Sequence, residues 1–350
     1  MARIYLDHNA TAPLRPQARA AMIAAMDEVG NPSSVHQEGR AAKMIMERAR
    51  EQVAVALGAQ AADVVFTSGA TEAASLCLGQ QKLHCSHIEH EAISANCIVD
   101  QVVEDSGKVI VKSPENSTLQ LANSETGIIQ DLPDGLFASD MTQAFGKVPV
   151  AFDWSGAKMG MVSAHKLGGP KGIGALVLKK GTDIAAQLRG GGQEMGRRSG
   201  TENIIGIAGF GAAAEASARD LDAGVWRQVE KLRNILENAI AQSSNKTIFV
   251  GNAGARLPNT ACMITPGWKG ETQVMQMDLA GFAVSAGSAC SSGKVKSSRV
   301  LMAMGYSETD AACALRVSLG PTTTEEEVMA FVEKWTSAYE KFMARQGANL

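Results

Sequence analysis

Short apolar runs alternate with stretches of helical periodicity through the first two thirds of the chain. Residues 63–67 (DVVFT) read as a buried strand, and the SGATEAA behind them turns into a helix. Residues 108–112 (KVIVK), 118–122 (TLQLA) and 135–139 (GLFAS) read as further strands, followed by 159–164 and by Gly174–Lys179 (GALVLK). Such alternation predicts an α/β domain around a mainly parallel sheet. Two helices stand out. Residues 226–242 place Val229, Leu232, Ile235, Leu236, Ala239 and Ile240 on one face. Residues 324–343 open with TTTEEE, which supplies a Thr cap, a capping-box Glu and negative charge at the helix N-terminus. Val328, Phe331, Val332 and Trp335 form the apolar stripe of that helix. Beyond residue 223 the strands shorten (TIFVG, TACMIT, AVSAG, ALRVSLG), which predicts a smaller α+β domain. The expected division is a large domain over 14–222, with 1–13 and 223–350 forming the small one.

Composition narrows the class. The chain has 350 residues, enough to bury a large core without staples. Apolar residues make up 45% and charged residues 20%, which excludes a disordered chain. A net charge of -3 excludes a broad basic surface for nucleic acid. The six cysteines form no CxxC pair, so neither a zinc ribbon nor a thioredoxin-like motif is present, and their scatter does not suggest a disulfide framework. The N-terminus lacks the apolar stretch of a signal peptide, and the small-apolar run at 204–214 is too short to span a bilayer. The expected setting is a reducing cytoplasm, away from membranes.

Two segments carry candidate chemistry. In Ser68-Gly69-Ala70-Thr71-Glu72 a glycine turn between strand and helix frees backbone N–H groups, which favours an anion; a capped strand–helix turn would read the same way. In SAHKLGGPKG, Lys166 follows an apolar strand and precedes a Gly/Pro turn, which would partly shield it from water; a turn with an exposed lysine would read the same way. Partial burial lowers an amine's pKa, as a Schiff-base lysine requires. Ser163 and His165 alternate with Ala164 and so share a face. GGPKGIG lacks the GxxxxGK[ST] spacing of a nucleotide-binding P-loop.

SAHKLGGPKGIGAL resembles the cofactor-lysine segment of the class V aminotransferase superfamily. FTSGATEA, IEHEAI, GGGQEMGRRSGTEN and VSAGSACSSG are similar to motifs of its NifS/IscS-type cysteine desulfurases. YLDHNATAP, NPSSVHQEGR and LRVSLGPTTTEEE belong to the same pattern, in the family's order, from Tyr5 to about residue 328. The resemblance implies a fold type I pyridoxal 5'-phosphate (PLP) enzyme. Its large domain would hold a mainly parallel seven-stranded sheet, its small domain would be α+β, and the molecule would be a homodimer. Lys166 would form the Schiff base with PLP. Ala70, Thr71, Ser163 and His165 would hold the phosphate, with Thr201 reaching across from the second subunit. Asp140 would pair with the pyridinium nitrogen and keep the ring an electron acceptor. Gln143 and Asn123 would bond the phenolic oxygen, and Asn123 would also contact substrate. His90 would stack on the ring and move protons.

Arg316 would bind the α-carboxylate of the substrate, because a planar guanidinium makes two parallel bonds to a carboxylate. Without the resemblance, a structural ion pair would be the preferred reading of this arginine. Cys290 sits among small residues in SAGSACSSGK, where nothing bulky buries the thiol and Lys294 favours the thiolate. It is the expected nucleophile. Cys262 in TACMIT, and Cys77, Cys97 and Cys313 in helix-like patterns, read as core fillers. The crowded HCSHIEHE could suggest a metal site, but it contains no HExxH, and a strand would send His87 and His90 to opposite faces. No resident metal is expected, although Cys290 could ligate a transferred iron–sulfur cluster.

The implied reaction converts L-cysteine to L-alanine and leaves a persulfide on Cys290. That sulfur would pass to an acceptor protein, either an iron–sulfur scaffold or a thiolation relay. A selenocysteine lyase, another class V PLP enzyme, and a catalytically weakened binding or regulatory protein remain as alternatives. The chain also departs from the family pattern. It is short between His90 and Asp140, has Ser124 where a second Asn is usual, and has Met141 where a small residue is usual. Ala12 replaces a Thr, and Arg299 a His or Tyr.

Overall fold

The computed structural model describes residues 3–79, 81–287 and 297–347. Its first layer is helical. The helix Gln37–Leu57 starts where His36 accepts a hydrogen bond from the Gly39 N–H and ends at Gly58, whose φ of 65° suits only glycine well. Ala42, Met46, Ala49, Val53 and Leu57 recur at helical spacing and are buried. They face the helix Ile204–Asp222, which also packs against Pro16–Met26. The small-apolar run seen in the sequence is the start of this buried helix. A Cβ on Gly211 would fall 2.6 Å from Ala49 Cα, so glycine sets the close approach of the two helices.

Beneath these helices lie four strands in the spatial order Ala62–Thr67, Gly174–Lys179, Met159–Ser163, Ala138–Asp140. Gly174–Lys179 runs antiparallel to both of its neighbours, and Met159–Ser163 pairs in parallel with Ala138–Asp140. A second sheet contains His84–Ser86, Ile98–Val103 and Val109–Ile110. A single, mainly parallel seven-stranded sheet was expected, but the ladders stand as separate sheets of four and three strands, and three of their five pairings are antiparallel. Residues 117–122 run between them and make only isolated parallel bridges, His84 with Ser117 and Thr118 with Ala138. A side chain distant in sequence interrupts the pairing. The Gln120 N–H donates to Glu89 Oε1 at 2.6 Å, and this carboxyl takes a hydrogen that would otherwise serve a ladder. The expected strand at 135–139 also shifts, to Ala138–Asp140, because Gly135 sits in a turn at φ 80°.

The later part of the chain forms a four-stranded sheet in the order Ser285–Ala286, Ala314–Ser318, Thr260–Ile264, Ile248–Phe249, all antiparallel. The helices Val225–Ser243 and Glu325–Gly347 contribute to its core, close to the limits predicted. The capping box forms: the Glu327 N–H donates to Thr324 Oγ1 and the Thr324 N–H to Glu327 Oε2. Trp268, Trp335, Tyr339 and Phe342 stack together there. The N-terminal strand Ile4–Tyr5 belongs to this half, pairing in parallel with Phe282–Ala283, and Asp7 bridges to Ser318. Among the described residues no helix is long and apolar enough to cross a membrane.

Candidate functional site

The strand Met159–Ser163 is buried along its length and ends in the short turn Ala164–Lys166. That turn leaves Lys166 half-buried, with Nζ donating to the main-chain carbonyls of Asn9 at 2.7 Å and Ala10 at 2.9 Å. The amine faces a cavity of about 620 Å³. Ala70, Thr71, His90, Asp140, Gln143, Ser163, His165 and Arg316 share its wall, so nine of the predicted site residues, counting Lys166, converge.

One end of the cavity suits an anion. The helix Ala70–Leu78 begins there with unpaired N–H groups and the Thr71 hydroxyl. Ser163, His165 and Lys171 line the wall beside it. The hydroxyls of Thr71 and Ser163 donate to no described residue, so both can serve a ligand. His165 bonds Thr11 Oγ1 at 3.2 Å through Nδ1. Burial, then Lys166, Lys171 and Lys147, push its pKa down to about 4, so the ring is neutral at pH 7.

A carboxylate marks another part of the wall. Asp140 closes its strand and accepts the Thr142 N–H at Oδ1, 2.9 Å away, while Oδ2 takes no hydrogen bond from a described residue. The neighbouring Glu89 is wholly buried, and burial together with the Asp140 charge raises its pKa well above the usual range. His90 caps the short helix Glu91–Ser94, with Nδ1 accepting the Ala92 N–H at 3.1 Å. An acceptor at Nδ1 places the ring proton on Nε2. An amine, an anion-favouring helix end and a carboxylate around one cavity match the parts of PLP, so the residues present fit that cofactor.

Arg316 lies on the strand Ala314–Ser318 with only 3% of its side chain exposed. Nη2 donates to Asp7 Oδ1 at 2.8 Å and Nη1 to the Ser124 carbonyl at 3.1 Å, while Nε is buried without a partner. The ion pair weighed from the sequence therefore exists, and Arg316 lines the cavity as well. Asp7 Oδ2 also accepts from Ser285 Oγ at 2.8 Å.

Two predicted residues lie elsewhere. Asn123 is buried but does not line the cavity. Its Oδ1 accepts from the Glu125 and Thr126 N–H groups, and Nδ2 donates to the Ile88 carbonyl. The side chain thus builds the turn, and it is Ser124 that reaches the wall. Thr201 is exposed and lines a neighbouring cavity of about 240 Å³, which shares Ser68 and Gly172 with the first. Cys290 falls outside the described residues. Sequence reasoning missed Asp7, Asn9 and Thr11 as individual contributors. The signal lay in YLDHNATAP, a polar stretch beside a two-residue strand. His84 pairs with Asp100 at 2.8 Å, and among the described residues no group of three or more His, Cys, Asp or Glu is arranged for a metal.

The family model for aminotransferase class-V matches residues 4–97 and 88–331. A cysteine desulfurase of Cereibacter sphaeroides is 37% identical, over 95% of each chain. The solved NifS-like protein from Rickettsia africae superposes with a TM-score of 0.87 at 32% identity, covering 97% of this chain and 99% of its own. A complex of SspA with cysteine gives a TM-score of 0.74 at 27% identity, covering 92% and 100%.

Proposed function

This chain belongs to the aminotransferase class-V family, and from that we propose that it is a PLP-dependent cysteine desulfurase. The observation that carries the reading is the convergence of Lys166, Asp140 and Arg316 on one cavity, in a chain similar to cysteine desulfurases over nearly its whole length. PLP, when bound, supplies an electron sink for the pair left at the substrate's Cα. Ala70, Thr71, Ser163 and His165 would hold its phosphate and Asp140 its ring nitrogen. Gln143 would face its phenolic oxygen and His90 its ring.

The chain's own groups do the rest. Arg316 takes the carboxylate of L-cysteine and fixes its orientation. Lys166 Nζ removes the Cα proton and later returns a proton. The Cys290 thiolate attacks the substrate sulfur. The S–S bond forms as the C–S bond breaks, and its electron pair stays with carbon. Protonation of that carbon gives alanine, and Cys290 holds the persulfide.

The same reading includes a large domain over 14–222 and a small one of 1–13 with 223–350. Separate hydrophobic clusters, one around Phe66, Phe145 and Phe210 and one around Trp268 and Trp335, support it. It also includes a cytoplasmic homodimer in which Thr201 serves the other subunit's site. The persulfide would go to an iron–sulfur scaffold or a thiolation relay. The test is to incubate pure protein with cysteine and a reductant, and to measure sulfide and alanine together. Equal release is expected, with none from Cys290→Ser although its visible cofactor absorbance persists. Retained turnover in Cys290→Ser would refute the nucleophile, and faster release from selenocysteine than from cysteine would favour a selenocysteine lyase.

A further inference from the structure

Behind Lys166 lies a second buried lysine. Lys147 is 2% exposed, with Nζ 2.6 Å from Gln143 Oε1 and 3.0 Å from Asn9 Oδ1. Burial, then Lys166 and Arg316, hold its amine well below the usual lysine range. The amine donates one N–H to each of these two oxygens. With Oε1 tied to Lys147, Gln143 turns Nε2 the other way, where it donates to the Asn9 carbonyl at 3.0 Å on the cavity wall. The same carbonyl accepts from Lys166 Nζ. Asn9 is itself pinned, through Nδ2 to the Ser124 carbonyl and Thr260 Oγ1, and through Oδ1 to Asn259. Two lysines thus hold one asparagine, one at its main-chain oxygen and the other at its side-chain oxygen.

A glutamine amide can present either end. If Gln143 turned its oxygen to the cavity, that oxygen would oppose a phenolic oxygen instead of donating to it. We propose that Lys147 is a positioning residue for the PLP site: it occupies Gln143 Oε1 so that the Nε2 donor faces the cofactor's phenolic oxygen, and it fixes Asn9, whose carbonyl holds the Lys166 amine. Lys147 does not itself line the cavity, so it acts through these two neighbours. The inference rests on the cofactor reading above and extends it to a residue one contact further out.

The test measures retention of PLP by equilibrium dialysis of full-length holoenzyme, with Tm alongside. Wild type, Lys147→Met, Gln143→Ala and the double variant are compared. Lys147→Met should bind PLP about tenfold more weakly, the effect of one misdirected buried hydrogen bond. In the Gln143→Ala background the same change should cost less than about twofold, because the residue it acts through is gone. A lowered Tm with unchanged PLP affinity, or equal losses of affinity in both backgrounds, overturns the proposal. If Lys147→Met does not fold, Gln143→Glu carries the test. It keeps an oxygen facing Lys147 but puts an acceptor-only carboxylate oxygen where the Nε2 donor was, so at least the same weakening is expected, and unchanged affinity refutes the role. A wild type that holds no PLP would refute the cofactor reading; a wild type that holds it no better than Lys147→Met would refute only this inference.

Discussion

Asp7 Oδ1 accepts a hydrogen bond from Arg316 Nη2 at 2.8 Å, and Asp7 Oδ2 accepts one from Ser285 Oγ at the same distance. A single carboxylate therefore aims the guanidinium from one side while the Ser124 carbonyl holds it from another. The buried Nε donates to no described residue, which is the capacity that the proposed carboxylate contact would use.

Removing that support should loosen substrate binding more than chemistry. Asp7→Ala is expected to raise KM for cysteine about tenfold, equivalent to one lost charge-assisted hydrogen bond, with kcat little changed. Steady-state kinetics would check this. A fall in kcat at constant KM would show that Asp7 serves another step.

Glu125 gives a pH-dependent signature. It is buried, and burial pushes its pKa up to about 7, against the opposing pull of Ser298, Arg316 and Arg299. Its Oε2 accepts from Ser298 Oγ at 2.5 Å. Between its ordinary value of 4.5 and about 7, the folded chain holds a proton there that the unfolded chain has lost. Stability from this group is therefore present below the lower value and declines as pH rises through the window. Glu125→Gln cannot titrate, so it should gain on wild type as pH rises from about 5 to about 8. Denaturant unfolding across that range measures the difference; a constant gap would remove Glu125 as the cause.

The third expectation concerns the glycine-rich stretch before Thr201. Glu194 sits at φ 47°, in the left-handed region, and Met195 follows at 59°. The side chain of Glu194 offsets that strain. It takes Arg50 Nη1 at 2.8 Å, Arg50 Nη2 at 3.0 Å and the Phe66 N–H at 3.0 Å. Glu194→Ala removes the buried partner of Arg50, leaving it the half-exposed Glu47 carboxylate at 3.2 Å and the Val64 carbonyl, and leaves the Phe66 N–H unsatisfied. It should cost about 3 kcal/mol, read as a lower denaturant midpoint. A loss below about 0.5 kcal/mol would show that the ion pair does not hold this backbone.

Much of the site was legible because its residues end regular elements. Residues 159–164 and Gly174–Lys179 read as strands nearly to the residue, and Lys166 follows the first of them directly. Asp140 could be assigned because Thr142, Gln143, Gly146 and Lys147 follow it at the spacing of the family motif. What escaped depends on contacts distant in sequence. Residues 118–122 have the apolar pattern of a strand, but Glu89, 31 positions before Gln120, takes one of their N–H groups. Asn123 looked like the polar residue of its motif, yet its carboxamide satisfies the turn and gives the wall to Ser124. Asp7 and Asn9 meet partners about 250 to 310 positions away, at Asn259, Thr260, Arg316 and Ser318, a separation no local pattern encodes.

Those distant partners also set when the enzyme can first work. Ile4–Tyr5 waits for Phe282–Ala283 as its strand neighbour, and Asp7 for Arg316 and Ser318. During synthesis residues 4–7 precede these partners by more than 270 positions, so they find their places only after residues 282–318 have emerged. The pocket around Lys166 stays unfinished until residue 316 has emerged, so a nascent chain halted before it would lack the arginine proposed to bind the substrate carboxylate.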